Sequence, residues 1–394
     1  MKEDTSTKNW KFPSLDLLDG PVVSKLEEQD TKRISKIIND VLMSNNIYAD
    51  VNPDDVKVGP TFTRYPVMVK SPVYISKLLS IQNKLALAIN SPSGTVRIEM
   101  PTPGQYLVGM ERPNETRQTI YYKSVVKSLV DKETHEGIQF PIGVDVESNV
   151  HNTNIKDWPN ALIAGSTGSG KSLLLHNIIL SMFFTKTPDE IKLILMDPKS
   201  VEFYIYEGIP HLLRPVITDM NEAVDTLSWL LEEAKRREEI ISKANVKTNT
   251  EYNRKVGVTE LPDIIVINDE VGDIMVRGKG VAELQIIKLA QVSQTVGIHQ
   301  ILSTSRPSTD AFTGLVRANI STRVAFMVHT NLDSKIAIAQ PGAEKLTKNG
   351  DMLFLPPKSE NPIRLQAPYI STEDINRVVD FVKAQNHNEK NQAL

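Results

Sequence analysis

The chain has 394 residues, a formal net charge of -3, and 40% hydrophobic and 24% charged residues, the balance of a soluble globular protein able to bury more than one core. At about 150 residues per domain, this length predicts two or three domains. The chain has no cysteine, which excludes disulfides and thiolate metal sites, and its slightly acidic balance excludes a protein that coats nucleic acid with its whole surface, so any DNA contact must come from a local basic patch.

The chain opens on the polar run Met1–Thr5, without the apolar core of a signal peptide. Residues 1–28, with Pro13, Gly20 and Pro21 among scattered charges, read as an extended lead-in. Ile34, Ile37, Ile38, Val41 and Leu42 recur at helical spacing and predict a helix over Thr31–Asn45. Strands are predicted at Val56–Gly59 and Thr61–Val69, a second helix over Ile75–Leu87, and alternating strands at Thr95–Met100 and Tyr106–Glu111. Residues 29–115 therefore predict a small α+β subdomain.

From about residue 138 the pattern changes. Apolar runs at Ala161–Ala164, Leu193–Met196, Ile264–Ile267, Gln300–Ser303 and Arg323–Val328 alternate with helical stretches. Strands apolar throughout predict a sheet buried on both faces. Residues 116–383 are expected to form one α/β domain with a mostly parallel sheet, followed by a polar, frayed tail over 384–394. The longest apolar stretch, Leu173–Phe184, is interrupted by His176, Asn177 and Ser181 and falls short of the roughly 20 residues of a membrane helix. A cytoplasmic chain is expected, attached to a membrane only through a region preceding the segment given. The seven histidines show no metal spacing, and there are no internal repeats.

Gly165-Ser166-Thr167-Gly168-Ser169-Gly170-Lys171-Ser172 matches the P-loop pattern G-x-x-x-x-G-K-S/T. It follows the apolar run Ala161–Ala164 and opens the helical stretch Leu173–Leu180, the strand–loop–helix context that a phosphate cradle needs. Glycines let successive N–H groups turn toward phosphate oxygens, and the helix N-terminus adds partial positive charge. Lys171 is expected to reach the β and γ phosphates of ATP, and the Ser172 hydroxyl to ligate Mg²⁺. Ile264–Ile267 leads into Asn268-Asp269-Glu270. A buried strand ending in an acidic pair is a Walker B element: Asp269 is expected to hold Mg²⁺ and Glu270 to polarise the attacking water. Asp197-Pro198-Lys199 and Thr304-Ser305-Arg306-Pro307 also follow predicted strands, where ligands collect in α/β sheets; each is equally readable as a plain loop at the sheet edge.

These residues resemble those of the FtsK/SpoIIIE DNA translocases. The resemblance runs from about Phe12 to Lys383 and rests on Gly59–Arg64, Gly104–Glu111, Pro113-Asn114, Asp197–Lys199, Asp269-Glu270 with Asp273, Gly297–His299, Arg306–Ser308, Ala318–Arg323 and Gly350–Met352, in order. It implies a RecA-like P-loop NTPase domain preceded by a small α subdomain. It further implies six copies in a ring around double-stranded DNA, ATP between neighbours, and DNA contacts at Arg306, Arg317 and Lys335. Basic residues lining a pore grip phosphates without reading sequence.

The sequence also departs from the family pattern. Gln291–Gly297 holds no arginine where the family carries one to reach a neighbour's ATP; Arg323 is the substitute considered. Ser305 stands for a glutamine, Asn331 for a lysine, and Val271-Gly272 for Phe-Ala. In the segment given, too few residues follow Pro368 for the family's DNA-reading winged-helix domain and no membrane-spanning run precedes the motor; if the segment is a fragment, both parts are expected outside it. The function expected is ATP-driven DNA pumping for chromosome segregation, cell division or DNA transfer. The alternatives are a protein-secretion motor of the type VII kind, and a ring component that binds ATP and hydrolyses it weakly.

Overall fold

A computed structural model of the chain describes residues 10–20, 30–99, 106–116, 118–131, 137–157 and 160–392, with side chains to 385. The predicted tracts at 1–9, 21–29 and 100–105, which include Met100, Gly104 and Gln105, lie outside the described residues.

The first sheet is built from β1 (Ala49–Val51), β2 (Lys57–Val58), β3 (Phe62–Val69), β4 (Arg97–Glu99) and β5 (Leu107–Pro113), every pair antiparallel. Helices α1 (Thr31–Ser44), α2 (Val73–Ser80) and α3 (Gln82–Ala88) accompany it. Asp30 caps α1 by accepting from the Arg33 N–H. Ile34, Ile38 and Leu42 pack with Tyr65, Val67, Leu85 and Met110 in a core of their own. The helix expected over Ile75–Leu87 is two helices that meet at Ile81.

The second sheet has nine strands: β6 (Gln139–Val144), β7 (Val150–Asn154), β8 (Asn160–Ala164), β9 (Ile191–Met196), β10 (Asp263–Asn268), β11 (Ile298–Thr304), β12 (Thr322–Phe326), β13 (Asp351–Leu355) and β14 (Ile363–Gln366). Their order is β7-β6-β14-β13-β12-β8-β11-β10-β9. The five strands from β12 to β9 are parallel, and these are the apolar runs read from the sequence. The remaining four extend the sheet in antiparallel fashion, so the sheet is mixed, with its parallel half at the phosphate loop.

Two layers of helices cover this sheet. On one face lie α4 (Tyr122–Val130), α5 (Lys171–Thr185) and α11 (Thr372–Gln392). On the other lie α6 (Met220–Lys243), α8 (Val271–Val296), α9 (Gly314–Asn319) and α10 (Asn331–Ile338), while α7 (Asn249–Val256) joins α6 to β10. Alternation along β10 explains its unbroken apolar run: Ile265 and Ile267 enter one core, Ile264 and Val266 the other. The polar interruptions of α5 are buried, and each makes a hydrogen bond. Asn177 donates to the Pro368 carbonyl at 2.8 Å, and Ser181 shares a 2.7 Å hydrogen bond with the Tyr122 hydroxyl.

The described part of the lead-in is docked. Leu18 is buried, the Leu17 carbonyl accepts from Arg377 at 2.8 Å, and the Leu18 carbonyl accepts from Lys123 at 2.9 Å. Helix α11 runs on to Gln392, through residues 384–392, which hold neither glycine nor proline.

Buried charge joins the two sheets. Arg364 on β14 makes a two-pronged contact with Asp351 (2.8 and 2.7 Å), reaches Glu111 on β5 at 2.7 Å, and stacks 4.2 Å over the Phe62 ring. Arg97 adds a 3.0 Å bond to Glu111. Burial raises the Glu111 carboxyl, but Arg97 and Arg364 together outweigh it and hold the group below its ordinary range.

Candidate active site

The glycine loop between β8 and α5 turns twice through the left-handed region, at Gly168 (φ 76°) and Gly170 (φ 114°), where a side chain strains the backbone. At Gly170 there is also no room: a Cβ meets the Gly350 backbone at 2.7 Å. The loop is braced from both sides. The Ser166 N–H and hydroxyl each donate to the Met327 carbonyl at 2.9 Å. The Gly350 N–H donates to the Ser169 carbonyl at 2.7 Å. The Ser169 hydroxyl is buried without a partner among the described residues.

Helix α5 starts immediately after this loop with no side-chain cap. Its first N–H groups are thus uncommitted donors backed by the helix dipole. They open on a cavity of about 950 Å³ lined by Ser166, Thr167, Gly168, Gly170, Lys171 and Ser172, by Asp269, Glu270 and Ser305, and by Lys199 and Glu202. Gln118–Tyr121 and Tyr369 close its far wall. Tyr121 and Tyr369 meet edge to face with centroids 6.0 Å apart.

Strand order determines which side chains meet there. The β10 strand, which ends just before Asp269, is not the neighbour of the loop strand β8; β11 lies between them. Residues at the end of β11 therefore sit between the lysine and the carboxylates. The Lys171 ammonium donates to an Asp269 carboxylate oxygen at 2.5 Å, to the Asp269 carbonyl at 3.2 Å and to the Ser303 hydroxyl at 3.1 Å. The Glu270 carboxylate accepts from the Thr304 hydroxyl, from the Ser305 N–H at 3.1 Å and hydroxyl at 2.5 Å, and from Lys199 at 3.3 Å. Burial raises the Glu270 carboxyl, and the hydrogen bonds from Ser305 and Thr304 more than offset it, leaving the group below its ordinary range.

Lys171, Ser172, Asp269 and Glu270 are thus brought to one cavity with Ser305. The loop Asp197–Lys199 belongs to it as well. The Asp197 carboxylate accepts from the Lys199, Glu202 and Phe203 N–H groups at 3.2, 2.8 and 2.9 Å. That turn delivers Glu202, which sequence reasoning passed over; its only signal was an acidic residue shortly after a strand end. Ser172 donates to Glu202 at 2.7 Å. A hydrogen bond with His176 foremost, opposed by burial and aided by Ser172, holds the Glu202 carboxyl low.

The expected DNA contacts lie elsewhere. Arg306 is exposed just beyond β11, and Lys335 is exposed on α10. Arg317 on α9 is half-buried and donates to the Phe312 carbonyl at 3.0 Å. Arg323, considered above as a substitute finger, is turned inward: it donates to the Arg317 carbonyl at 2.8 Å, and burial, reinforced by Arg317, lowers its pKa.

The donor set fits a nucleotide's phosphates: free N–H groups at a helix start, a lysine ammonium and a serine hydroxyl. Among the described residues, no three His, Cys, Asp or Glu side chains gather to hold a metal by themselves. A divalent ion at Ser172 would fit with phosphate oxygens and water completing its shell, which is how magnesium is usually held.

The FtsK/SpoIIIE family model matches residues 124–309, and the FtsK alpha domain model matches residues 12–114. The chain belongs to the FtsK/SpoIIIE family. Relatives in this family include a protein named DNA translocase FtsK from Campylobacter jejuni subsp. jejuni, 39% identical over 383 residues, which cover 96% of this chain and 40% of that one. Another of the same name, from Clostridium tetani, is 37% identical over 389 residues, 97% of this chain and 52% of that one. This FtsK/SpoIIIE chain therefore spans about half the length of such relatives or less. Among solved structures, it resembles the pCW3 conjugation coupling protein TcpA with a TM-score of 0.61 at 19% identity, covering 89% of this chain and 99% of that one. It also resembles the cytoplasmic domain of the Thermomonospora curvata type VII secretion ATPase EccC, with a TM-score of 0.59 at 20% identity over 67% of this chain and 34% of that one. Both likenesses concern the fold, which is that of the RecA-like P-loop ATPases. No helix among the described residues is long and apolar enough to cross a membrane.

Proposed function

We propose that this chain is an ATP-driven motor that moves double-stranded DNA through a ring of six copies, with nucleotide held between neighbours. Residues 116–383 act as the motor unit and residues 29–115 as the smaller unit in front of it. The observation that carries the reading is the turn at the end of β11. Thr304 and Ser305 touch Glu270, while Arg306, the next residue, is exposed. The Thr304 hydroxyl also contacts both the N–H and the carbonyl of Arg306 at 3.2 Å. A change at the Glu270 carboxylate is thereby passed within two residues to a solvent-facing cation.

The residues divide the work as follows. The loop N–H groups and Lys171 hold the phosphates, Lys171 leaving Asp269 to do so. Ser172 and Asp269 hold the metal side of the site. Magnesium carried with the nucleotide supplies positive charge to the phosphate oxygens. Glu270 accepts a proton from the attacking water at a carboxylate oxygen released from the Ser305 and Thr304 donors. Arg306, Arg317 and Lys335 take DNA phosphates, a contact without sequence preference.

Duplex DNA is preferred over a secreted polypeptide as cargo because residues 12–114 match the FtsK alpha domain and the relatives carry the name DNA translocase. The test is ATPase turnover with and without duplex DNA. Stimulation by DNA, lost with Lys171→Ala and reduced with Arg306→Ala and Lys335→Ala, is the expected result. Equal rates with and without DNA, or stimulation by a secretion signal peptide in its place, would overturn the reading.

A further inference from the structure

The site holds a third carboxylate, Glu202, besides the two of the β10 acidic pair. Its surroundings are built. The Asp197 carboxylate pins the backbone N–H of Glu202 at 2.8 Å and of Phe203 at 2.9 Å, so the turn presents this side chain to the cavity in one position. One Glu202 oxygen accepts from the Ser172 hydroxyl at 2.7 Å. The other lies 3.5 Å from His176 Nε2. His176 is itself buried, and its Nδ1 is fixed by the Tyr206 hydroxyl at 2.7 Å. Ser172 and His176 are four residues apart on α5 and so share one face of it, and that face meets the loop carrying Glu202 and Tyr206.

A hydroxyl that ligates a cation through oxygen must place its proton on another acceptor. Such outer partners orient the ligand and are worth about 10–100-fold in metal affinity. In this site Asp269 is committed to Lys171 and Glu270 to Thr304, Ser305 and Lys199. Asp269 is freed when Lys171 turns to the phosphates, but Glu202 is the carboxylate that the Ser172 hydroxyl already reaches, at 2.7 Å. We propose that Glu202 is a positioning residue for magnesium: it takes the Ser172 hydroxyl proton, aims the oxygen lone pairs into the cavity, and is held in turn by the His176–Tyr206 pair. This inference rests on the nucleotide-binding reading above and assigns the orientation of one of its ligands.

The experiment is a magnesium titration of binding of a fluorescent adenine nucleotide, begun in EDTA, on the whole chain. In Glu202→Ala, affinity in EDTA is expected to equal or exceed that of the unaltered chain, since a negative charge near the phosphates is gone. The magnesium concentration giving half of the metal-dependent gain is expected to rise about tenfold or more. Glu202→Gln, which keeps an acceptor oxygen, is expected to fall between. On a Ser172→Ala background, Glu202→Ala is expected to shift the midpoint no further, because one residue acts through the other. An unchanged magnesium midpoint in Glu202→Ala overturns the proposal, as does a shift that simply adds to that of Ser172→Ala. Loss of nucleotide binding in EDTA as well as in magnesium also overturns it, showing Glu202 to be structural. If the unaltered chain binds no nucleotide at all, the reading of the site itself fails together with this inference.

Discussion

The Ser305 hydroxyl donates to the Glu270 carboxylate at 2.5 Å, and the N–H of the same residue donates to the same oxygen at 3.1 Å. With Thr304 and Lys199 added, the proposed base is occupied by four donors before any water reaches it. A base so engaged must release a donor to accept a proton. Glu270→Gln is expected to lower turnover by about 10²–10⁴-fold with nucleotide binding retained. Ser305→Ala removes one charge-assisted bond and is expected to raise DNA-independent turnover by up to about tenfold, as 1.4 kcal/mol allows. Single-turnover rates decide it: a fall in Ser305→Ala as deep as in Glu270→Gln would mean that Ser305 serves the reaction and does not restrain it.

The Lys171–Asp269 contact makes a second expectation. Lys171 is buried and bonded to the Asp269 carboxylate at 2.5 Å, so phosphate must compete with that carboxylate for the ammonium. Asp269→Asn weakens the competitor. Nucleotide affinity in EDTA is expected to rise about tenfold, the scale of one charge-assisted hydrogen bond, while magnesium-dependent hydrolysis is lost. Isothermal titration with and without metal separates the two effects, and weaker binding in EDTA would refute the competition.

Arg364 gives a stability expectation. It serves Asp351 and Glu111 at once, and all three side chains are buried. Arg364→Met leaves buried Asp351 without its cation and Glu111 with Arg97 alone. Breaking a buried pair from one side costs about 3–5 kcal/mol. Denaturant unfolding is expected to show that loss, and adding Glu111→Gln to Arg364→Met should recover part of it. A loss under about 1 kcal/mol, the range of exposed ion pairs, would show that water reaches the cluster.

His211 predicts acid sensitivity. It is buried between Trp10 and Phe183, with ring centroids 5.3 and 4.9 Å away. Burial pushes its pKa from 6.5 down to about 3. The unfolded chain therefore binds this proton more readily than the folded one at any pH below about 6.5. Its contribution is intact above pH 6.5 and is lost progressively as pH falls toward 3, reaching about 2 kcal/mol at pH 5. His211→Phe is expected to flatten the fall in unfolding midpoint between pH 7 and 5. Parallel curves for the two proteins would place the acid sensitivity elsewhere.

The legible parts of this molecule were those specified by neighbours in sequence. The five parallel strands each carry an apolar run because both faces of the sheet are covered, and that shows in a string of residues. The loop Gly165–Ser172 carries its own strand and helix on either side. The antiparallel half was not read, because β14 is short and β7 alternates little between buried and exposed. Their pairing depends on partners far along the chain. Two features of α8 and α2 were equally hidden. Gly278-Lys279-Gly280 interrupts α8, with Lys279 at φ 46° and ψ -139°. Ile81 divides the helix expected over Ile75–Leu87 although its apolar period runs on without a break. Glu202 could not be ranked from sequence, since its place depends on Asp197 folding the turn around it.

The insertion of β11 between β8 and β10 has a consequence for biogenesis. Strand β8 finds its partners only in β11 and β12, which begin at Ile298 and Thr322. During synthesis at about 5–20 residues per second, the glycine loop is made on the order of ten seconds before the strands that will flank it. Until then Lys171 has neither Ser303 nor a placed Asp269 beside it, and nucleotide meets only a fragment of its receptor. Ligand binding thus reports completion: a nascent chain released before β12 should leave a nucleotide column empty-handed, while the finished chain is retained.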